Sequence, residues 1–412
     1  MKKSAAVIGL LGLALATSVF ANEEKARESI PHLDHAFVIV MENHPLSQII
    51  GNTAAPFINS YAKSANLAAN YFGIGHPSLT NYLEIVGASN FGVVNDNSPD
   101  WHNTACQGDK TLNTLITPQL EGAPNTCPIS GSGYDAATPN VDSTNEGSAS
   151  VPVNNCYVFP CDPNTNFIDP AFTVGKTIAD QLVEADLSWK SYQENLPASG
   201  ADLANWSDGL LTDHNFDIGA PVAGIPHLYA VKHNPFAYFA NVQAGTDPNN
   251  SLKNIVGFDQ LYADLASGHV PNYSLIALNQ CHDQHERGAS EVGTGCQYDP
   301  NPVSNALNPA GIAQGDAAVQ ALVGAIKASP VWKSGHSAII VVWDENDYTS
   351  KPNQVVTIVD TNYGPHGVSS NVRYNHFSLV KTLEAGFGLD YLNHAADKDV
   401  KLMSDLFGSK HE

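Results

Sequence analysis

Three short apolar runs punctuate the chain: His35–Met41, residues 273–278, and Ser337–Trp343. Apolar sequence that does not alternate with polar residues is the pattern of a strand buried on both faces. Each run stops abruptly at polar residues. The first meets Glu42-Asn43, the second meets Asn279 ahead of Cys281-His282-Asp283-Gln284-His285-Glu286, and the third meets Asp344-Glu345-Asn346-Asp347. Helical periodicity is clearest over 316–328 and 377–387, the latter with apolar residues at Leu379, Val380, Leu383 and Phe387. Helices alternating with buried strands imply a layered α/β architecture. In open α/β sheets ligands bind beyond the carboxyl ends of the strands. One polar turn after a strand is ordinary; three that all carry carboxylates or imidazoles suggest a single shared site.

Between residues 88 and 166 the pattern lapses into Asn, Ser, Gly, Pro and Thr, with four of the six cysteines. A loop this long inside a compact domain is read as an insertion forming a lid or rim. The chain opens with Met1-Lys2-Lys3, an apolar stretch from Ala5 to Phe20, and the small-residue ending Val19-Phe20-Ala21. That sequence reads as a cleavable secretory signal over 1–21, which makes 22–412 one periplasmic or secreted domain. An uncleaved anchor is the alternative, but the apolar core is short for a bilayer span. In an exported protein an even cysteine count implies disulfides, and proximity pairs Cys106 with Cys127, Cys156 with Cys161, and Cys281 with Cys296. No CxxC pair supports a thiolate zinc site.

Charge narrows the partners further. The 412 residues include 19 basic and 41 acidic side chains, a net −22. Such a chain repels nucleic acid and anionic membranes. A phosphate-bearing substrate must therefore be drawn by local cations, which points to bound metal rather than a basic groove. No basic amphipathic helix offers to dock a membrane.

The segment Gly75-His76-Pro77-Ser78-Leu79-Thr80-Asn81-Tyr82-Leu83 puts a hydroxyl just ahead of an expected helix, where free N–H groups and the dipole favour negative charge. Ser78 can attack phosphorus from there, or it can serve only as a helix N-cap. A serine needs a base or a metal to become a nucleophile, and no G-x-S-x-G elbow surrounds it. Metal activation fits the remaining residues. Glu42, Asp344 and Glu345 are hard oxygen ligands, with Asn43 adding a carbonyl oxygen. His282, Asp283, His285 and His376 form the mixed carboxylate and imidazole set that suits zinc.

In these stretches the chain resembles the phosphoesterase family of bacterial acid phosphatases and related phospholipases C, a branch of the alkaline phosphatase superfamily. The resemblance is carried by Val38 through Asn43, His76 through Leu83, Lys232-His233-Asn234-Pro235-Phe236, Pro271 through His285, Val341 through Glu345, and Tyr374 through Leu379. It implies a three-layer α/β/α sandwich around a mostly parallel sheet, with the disulfide-stapled loop as an insertion. It also implies that Glu42, Asn43, Asp344 and Glu345 bind metal beside the nucleophile Ser78, and that Asn81 donates to the oxyanion. Asp283, His285 and His376 would then hold a second ion, with His285 poised for acid–base work. One or two divalent cations, zinc or calcium, are expected. Thr80 stands where many relatives carry proline, and Asn279 where other branches carry a metal-binding aspartate. The segment Trp189 through Glu194, with Lys190 and Tyr192, matches the family too, and Lys232 or His233 is placed to meet a phosphate oxygen.

The activity expected is metal-dependent hydrolysis of small phosphate monoesters through a phosphoserine intermediate. Two alternatives stand beside it: a phospholipase C acting on headgroup diesters, and a non-catalytic exported module that uses the acidic clusters to bind calcium.

Overall fold

The computed structural model describes residues 30–91, 93, 96, 98–99, 128–130, 174–197, 228–285, 309–347 and 352–408. The expected signal segment 1–21, nearly all of the insertion 88–166 and five of the six cysteines lie outside them. Cys281 is buried and is not a free thiol.

In chain order the strands are β1 (His35–Met41), β2 (Asn66–Ala68), β3 (Tyr71–Phe72), β4 (Trp189–Gln193), β5 (Ile255–Gly257), β6 (Tyr273–Ala277), β7 (Ser337–Trp343), β8 (Gln354–Val355), β9 (Thr357–Thr361), β10 (Ser369–Ser370) and β11 (Tyr374–Asn375). Eight of them form one sheet in the order β10-β2-β9-β7-β1-β6-β4-β5, and β11-β3-β8 form a second, small sheet. In the large sheet only β9 runs against its neighbours. The α/β class with a mostly parallel sheet is therefore as the hydropathy pattern implied. β7 and β6 are buried throughout and β1 in all but its first residue, which explains why their sequences lack alternation.

The main helices are α1 (Pro56–Ser64), α2 (Ser78–Gly87), α3 (Ile178–Glu184), α4 (Phe258–Ser267), α5 (Pro309–Ala328) and α6 (His376–Phe387). They pack as two groups, α1 and α4 against α5, and α2 and α3 against α6. Their ends are specified locally and at a distance. Thr177 and Asp180 close a capping box on α3, and Asn375 with Ser378 does so on α6. The N-terminus of α1 has proline at its first position, and its next two amides are capped from α5, where the Asp316 carboxylate accepts Phe57 N–H at 3.0 Å and Ile58 N–H at 2.7 Å.

The sheet order is what builds the site. β1 lies between β7 and β6, and its register pairs Met41 with Trp343 and Val40 with Ala277. All three strands are parallel, so their carboxyl ends open on one edge. Two backbone bonds continue the alignment past the strands: Asp344 N–H to Met41 O at 2.9 Å and Glu42 N–H to Asp283 O at 2.8 Å. Glu42, Asp344 and Asp283 are level because the ladder puts them there.

Candidate active site

Ser78 is the first residue of α2, whose N-cap is Pro77 with no side-chain cap. The N-cap role for this serine is therefore not what the fold uses. Its hydroxyl lies 3.1 Å from Glu42 Oε2 and 3.3 Å from Glu345 Oε1, and it accepts from Lys232 Nζ at 3.2 Å. All four residues are buried. A hydroxyl between two carboxylates and an ammonium is held as a proton donor on one side and an acceptor on the other.

The carboxylates crowd one another in a buried space. Glu42, Asp344 and Glu345 are almost fully buried, with at most 1% of any exposed. Burial, then the charges of Glu42 and Glu345, push the Asp344 carboxyl well above the ordinary range. Burial likewise raises Glu345, against the opposing pull of His76. Asp344 Oδ1 is used, accepting Glu345 N–H at 2.6 Å and Asn43 N–H at 3.2 Å. Its Oδ2 is buried without a hydrogen-bond partner, as is Asn43 Oδ1. Asn43 sits at φ 55°, a left-handed conformation that asparagine tolerates. Hard oxygen donors, two of them without partners, beside mutually repelling carboxylates fit a divalent cation held by Glu42, Asn43, Ser78, Asp344 and Glu345.

The second group forms differently from the expected one. His233, not His376, stands with Asp283 and His285. Its Nε2 is 2.9 Å from Glu42 Oε1 and its Nδ1 is 3.3 Å from Asp283 Oδ2, though neither contact has hydrogen-bond alignment. Tyr82 stacks on its face, with centroids 5.0 Å apart and planes 7° from parallel. Burial works against a charged His233, but Glu42 and Asp283 raise it to about 9. Burial pushes Asp283 up to about 6 in spite of His233. One ligand atom from each of Glu42, His233 and His285 falls within 4.8 Å of the others, close enough to hold a metal ion. His285 Nε2 also lies 3.2 Å from Lys232 Nζ.

His376 packs behind Asp344 rather than beside Asp283 and His285. Its Nδ1 faces the Tyr71 hydroxyl at 3.1 Å and its Nε2 faces the Asp344 backbone carbonyl at 2.7 Å, so both ring nitrogens are engaged behind the site. Burial lowers it to about 4, which keeps the ring neutral. Asn81 lies in the first turn of α2, beside Ser78. Its two amide hydrogens go to Gly75 O at 2.9 Å and Glu345 Oε2 at 3.0 Å, and its Oδ1 accepts Ile74 N–H and Gly75 N–H, both at 3.1 Å. It holds Glu345 and the turn before Ser78. His282 turns away as well, with Nδ1 2.8 Å from Glu194 Oε1.

Three residues enter the site that the sequence did not single out for it. His76 Nδ1 is 2.8 Å from Glu345 Oε2. Asp96 reaches Lys232 and the amino end of α2. Gln284, at φ 77° between Asp283 and His285, accepts the Trp343 indole N–H at 3.0 Å and donates to Ile312 O at 3.0 Å. Asn279, which the sequence did mark, shapes the following turn by accepting the Cys281 and His282 amides on its Oδ1 at 2.9 Å. Position within the matched stretches was the only signal for His76 and Gln284. Lys190 and Tyr192 instead tie β4 to α4 through the Asp264 carboxylate, at 2.5 and 2.6 Å.

The model of the Phosphoesterase family matches residues 49–390. A phosphatidylinositol-3-phosphatase of Mycobacterium tuberculosis is 24% identical over 412 residues, spanning 98% of this chain and 94% of that protein. A phosphate-repressible acid phosphatase of Penicillium chrysogenum is 23% identical over 401 residues, spanning 92% of this chain and 70% of that one. A solved structure of an alkaline phosphatase superfamily protein from Vibrio parahaemolyticus superposes with a TM-score of 0.43 at 13% identity, covering 88% of this chain and 69% of that one.

Proposed function

We propose, from the premise that this chain belongs to the Phosphoesterase family and is a phosphoric ester hydrolase, that it cleaves phosphate monoesters with Ser78 as nucleophile. The observation that carries the reading is the hydroxyl of Ser78, lodged between Glu42, Glu345 and Lys232 at the start of a helix. The two protein relatives are both named as phosphatases. Family membership sets aside the alternative of a non-catalytic calcium module.

In this reading a carboxylate beside Ser78 takes its proton as the oxygen attacks phosphorus in line. Lys232 faces the charge that gathers on the equatorial oxygens. A phosphoserine forms and the alcohol leaves. His285, which faces Lys232 across the same space, then poises the water that releases phosphate. Glu42, Asn43, Asp344 and Glu345 are the residues that would hold a divalent cation, zinc or calcium, which supplies Lewis-acid stabilisation of the serine oxygen and the phosphoryl group. Preorganised charge of this kind is usually the largest catalytic term.

We take the two helix groups as the outer layers of an α/β/α sandwich, and the leader 1–21 as directing the domain to the periplasm or exterior. No helix among the described residues is long and apolar enough to cross a membrane. The deciding experiment is release of phosphate from a chromogenic monoester by the mature chain, with and without chelator, beside Ser78→Ala. Turnover that needs both Ser78 and a divalent ion supports the reading; near-normal activity of folded Ser78→Ala ends it. A diester cleaved faster than the monoester would favour the phospholipase C alternative.

A further inference from the structure

A carboxylate bridges two donors beside Ser78. Asp96 Oδ1 accepts the Leu79 backbone N–H at 3.1 Å, and its Oδ2 accepts Lys232 Nζ at 3.1 Å. Leu79 follows the nucleophile, and its amide belongs to the first turn of α2, where N–H groups lack intrahelical partners. The same Lys232 ammonium is 3.2 Å from Ser78 Oγ. Two donors therefore converge beside the nucleophile, and an anion already spans them.

Asp96 is an odd tenant. Its side chain is 33% exposed while that of Lys232 is 7% exposed, so the carboxylate can return to water and the ammonium cannot. Its charge also adds to that of Glu42 in disfavouring the ionised Glu345 nearby. Asp96 is the foremost of three carboxylates that favour the charged Lys232, ahead of Glu42 and Glu345, so the cation keeps two acidic neighbours when Asp96 leaves.

We propose that the Leu79 amide and Lys232 form the subsite for the non-bridging oxygens of a phosphoryl group, and that Asp96 is its resident anion, displaced by substrate and returning when phosphate leaves. This rests on the phosphoester hydrolase reading above and refines its substrate class. A monoester brings a dianionic phosphoryl group to the exchange, whereas a diester brings one negative charge, no more than the carboxylate it must displace. Asp96 thus selects monoesters over diesters by competing for the same donors, a discrimination achieved by an unfavourable alternative rather than by added contacts.

The test is inorganic phosphate binding to the purified mature chain, measured by calorimetry in the absence of any ester, for wild type, Asp96→Ala and the near-isosteric Asp96→Asn. Asp96→Ala is expected to bind phosphate about tenfold more tightly, with Asp96→Asn between it and wild type, since two charge-assisted bonds no longer have to be exchanged. In steady-state assays both variants should lower KM for a monoester and narrow the monoester-to-diester ratio of kcat/KM by a similar factor. Phosphate affinity that is unchanged or weakened, or kcat that collapses at constant KM, overturns the proposal and makes Asp96 a structural partner of Lys232. Because phosphate binding requires no turnover, a chain that hydrolyses no ester yet gains affinity in Asp96→Ala would leave the subsite standing while removing the hydrolase reading.

Discussion

Replacing Gln284 by methionine tests whether the two halves of the site are held together by one side chain. Gln284 Oε1 accepts the Trp343 indole N–H, and its Nε2 donates to the Ile312 carbonyl. Trp343 leads directly into Asp344 and Glu345, and Gln284 itself lies between Asp283 and His285. Methionine fills similar volume without donors or acceptors. The Trp343 N–H is fully buried, so stranding it costs about 1–3 kcal/mol, while Ile312 lies inside α5 and loses only an additional bond worth about 0.5–1.5 kcal/mol. Gln284→Met should therefore lose roughly 2–4 kcal/mol in urea unfolding at pH 7. Releasing the turn should also cost turnover about tenfold to a hundredfold, since displacements near 1 Å are felt at that level. An independent perturbation should give the same phenotype: a Cβ at Gly315 would lie 2.4 Å from Gln284 Cγ and 2.9 Å from its Cδ, so Gly315→Ala must expel the same side chain. The two changes should be far from additive, since both break one set of bonds. A Gln284→Met variant within 0.5 kcal/mol of wild type and within about twofold in kcat would refute the tether.

Lys232→Met should lower kcat by about a hundredfold or more with the fold intact by circular dichroism, because it removes a donor 3.2 Å from the nucleophile; a drop under tenfold would deny it a catalytic role. Asp344→Asn should raise the melting temperature in chelator, because the folded chain no longer holds a carboxyl whose ionised form burial, Glu42 and Glu345 disfavour, yet shrink the rise produced by added zinc or calcium. Equal responses of the two proteins to the ion would exclude Asp344 as a ligand. His376 should make the fold acid-sensitive. Burial lowers it from 6.5 to about 4, so between those values the unfolded chain binds more protons, and its contribution is fully present above pH 6.5 and lost as pH falls through 4. The loss amounts to about 3 kcal/mol between pH 7 and pH 4, so urea titrations of wild type should fall by that much more than those of His376→Gln; parallel curves would contradict it.

Local sequence determined more of this protein than its chemistry. The three apolar runs appear as β1, β6 and β7 nearly residue for residue, because burial on both faces imposes a composition that neighbouring residues display together. The periodic stretch 377–387 appears as most of α6 for the same kind of reason, a repeat short enough to be read within one helix. The acidic ends of those strands were equally legible, and with them Glu42, Asp344 and Asp283 as members of one edge.

Which side chains face one another was decided elsewhere. Ser78 and Glu345 are 267 positions apart, and Ser78 and Lys232 are 154 apart, so no periodicity links them; the strand order β7-β1-β6 and the packing of α2 do. Rotation about one side chain is equally invisible in sequence. His376 carries a metal-ligating imidazole, but Tyr71 and the Asp344 carbonyl claim both its nitrogens, and Asn81 is similarly consumed by Gly75 and Glu345. Buried polar atoms must each find a partner, and the partners available depend on chain segments that meet only in the folded state. That requirement, acting across hundreds of residues, holds Asp96 against Lys232 and the Leu79 amide and His376 against Tyr71 and the Asp344 carbonyl.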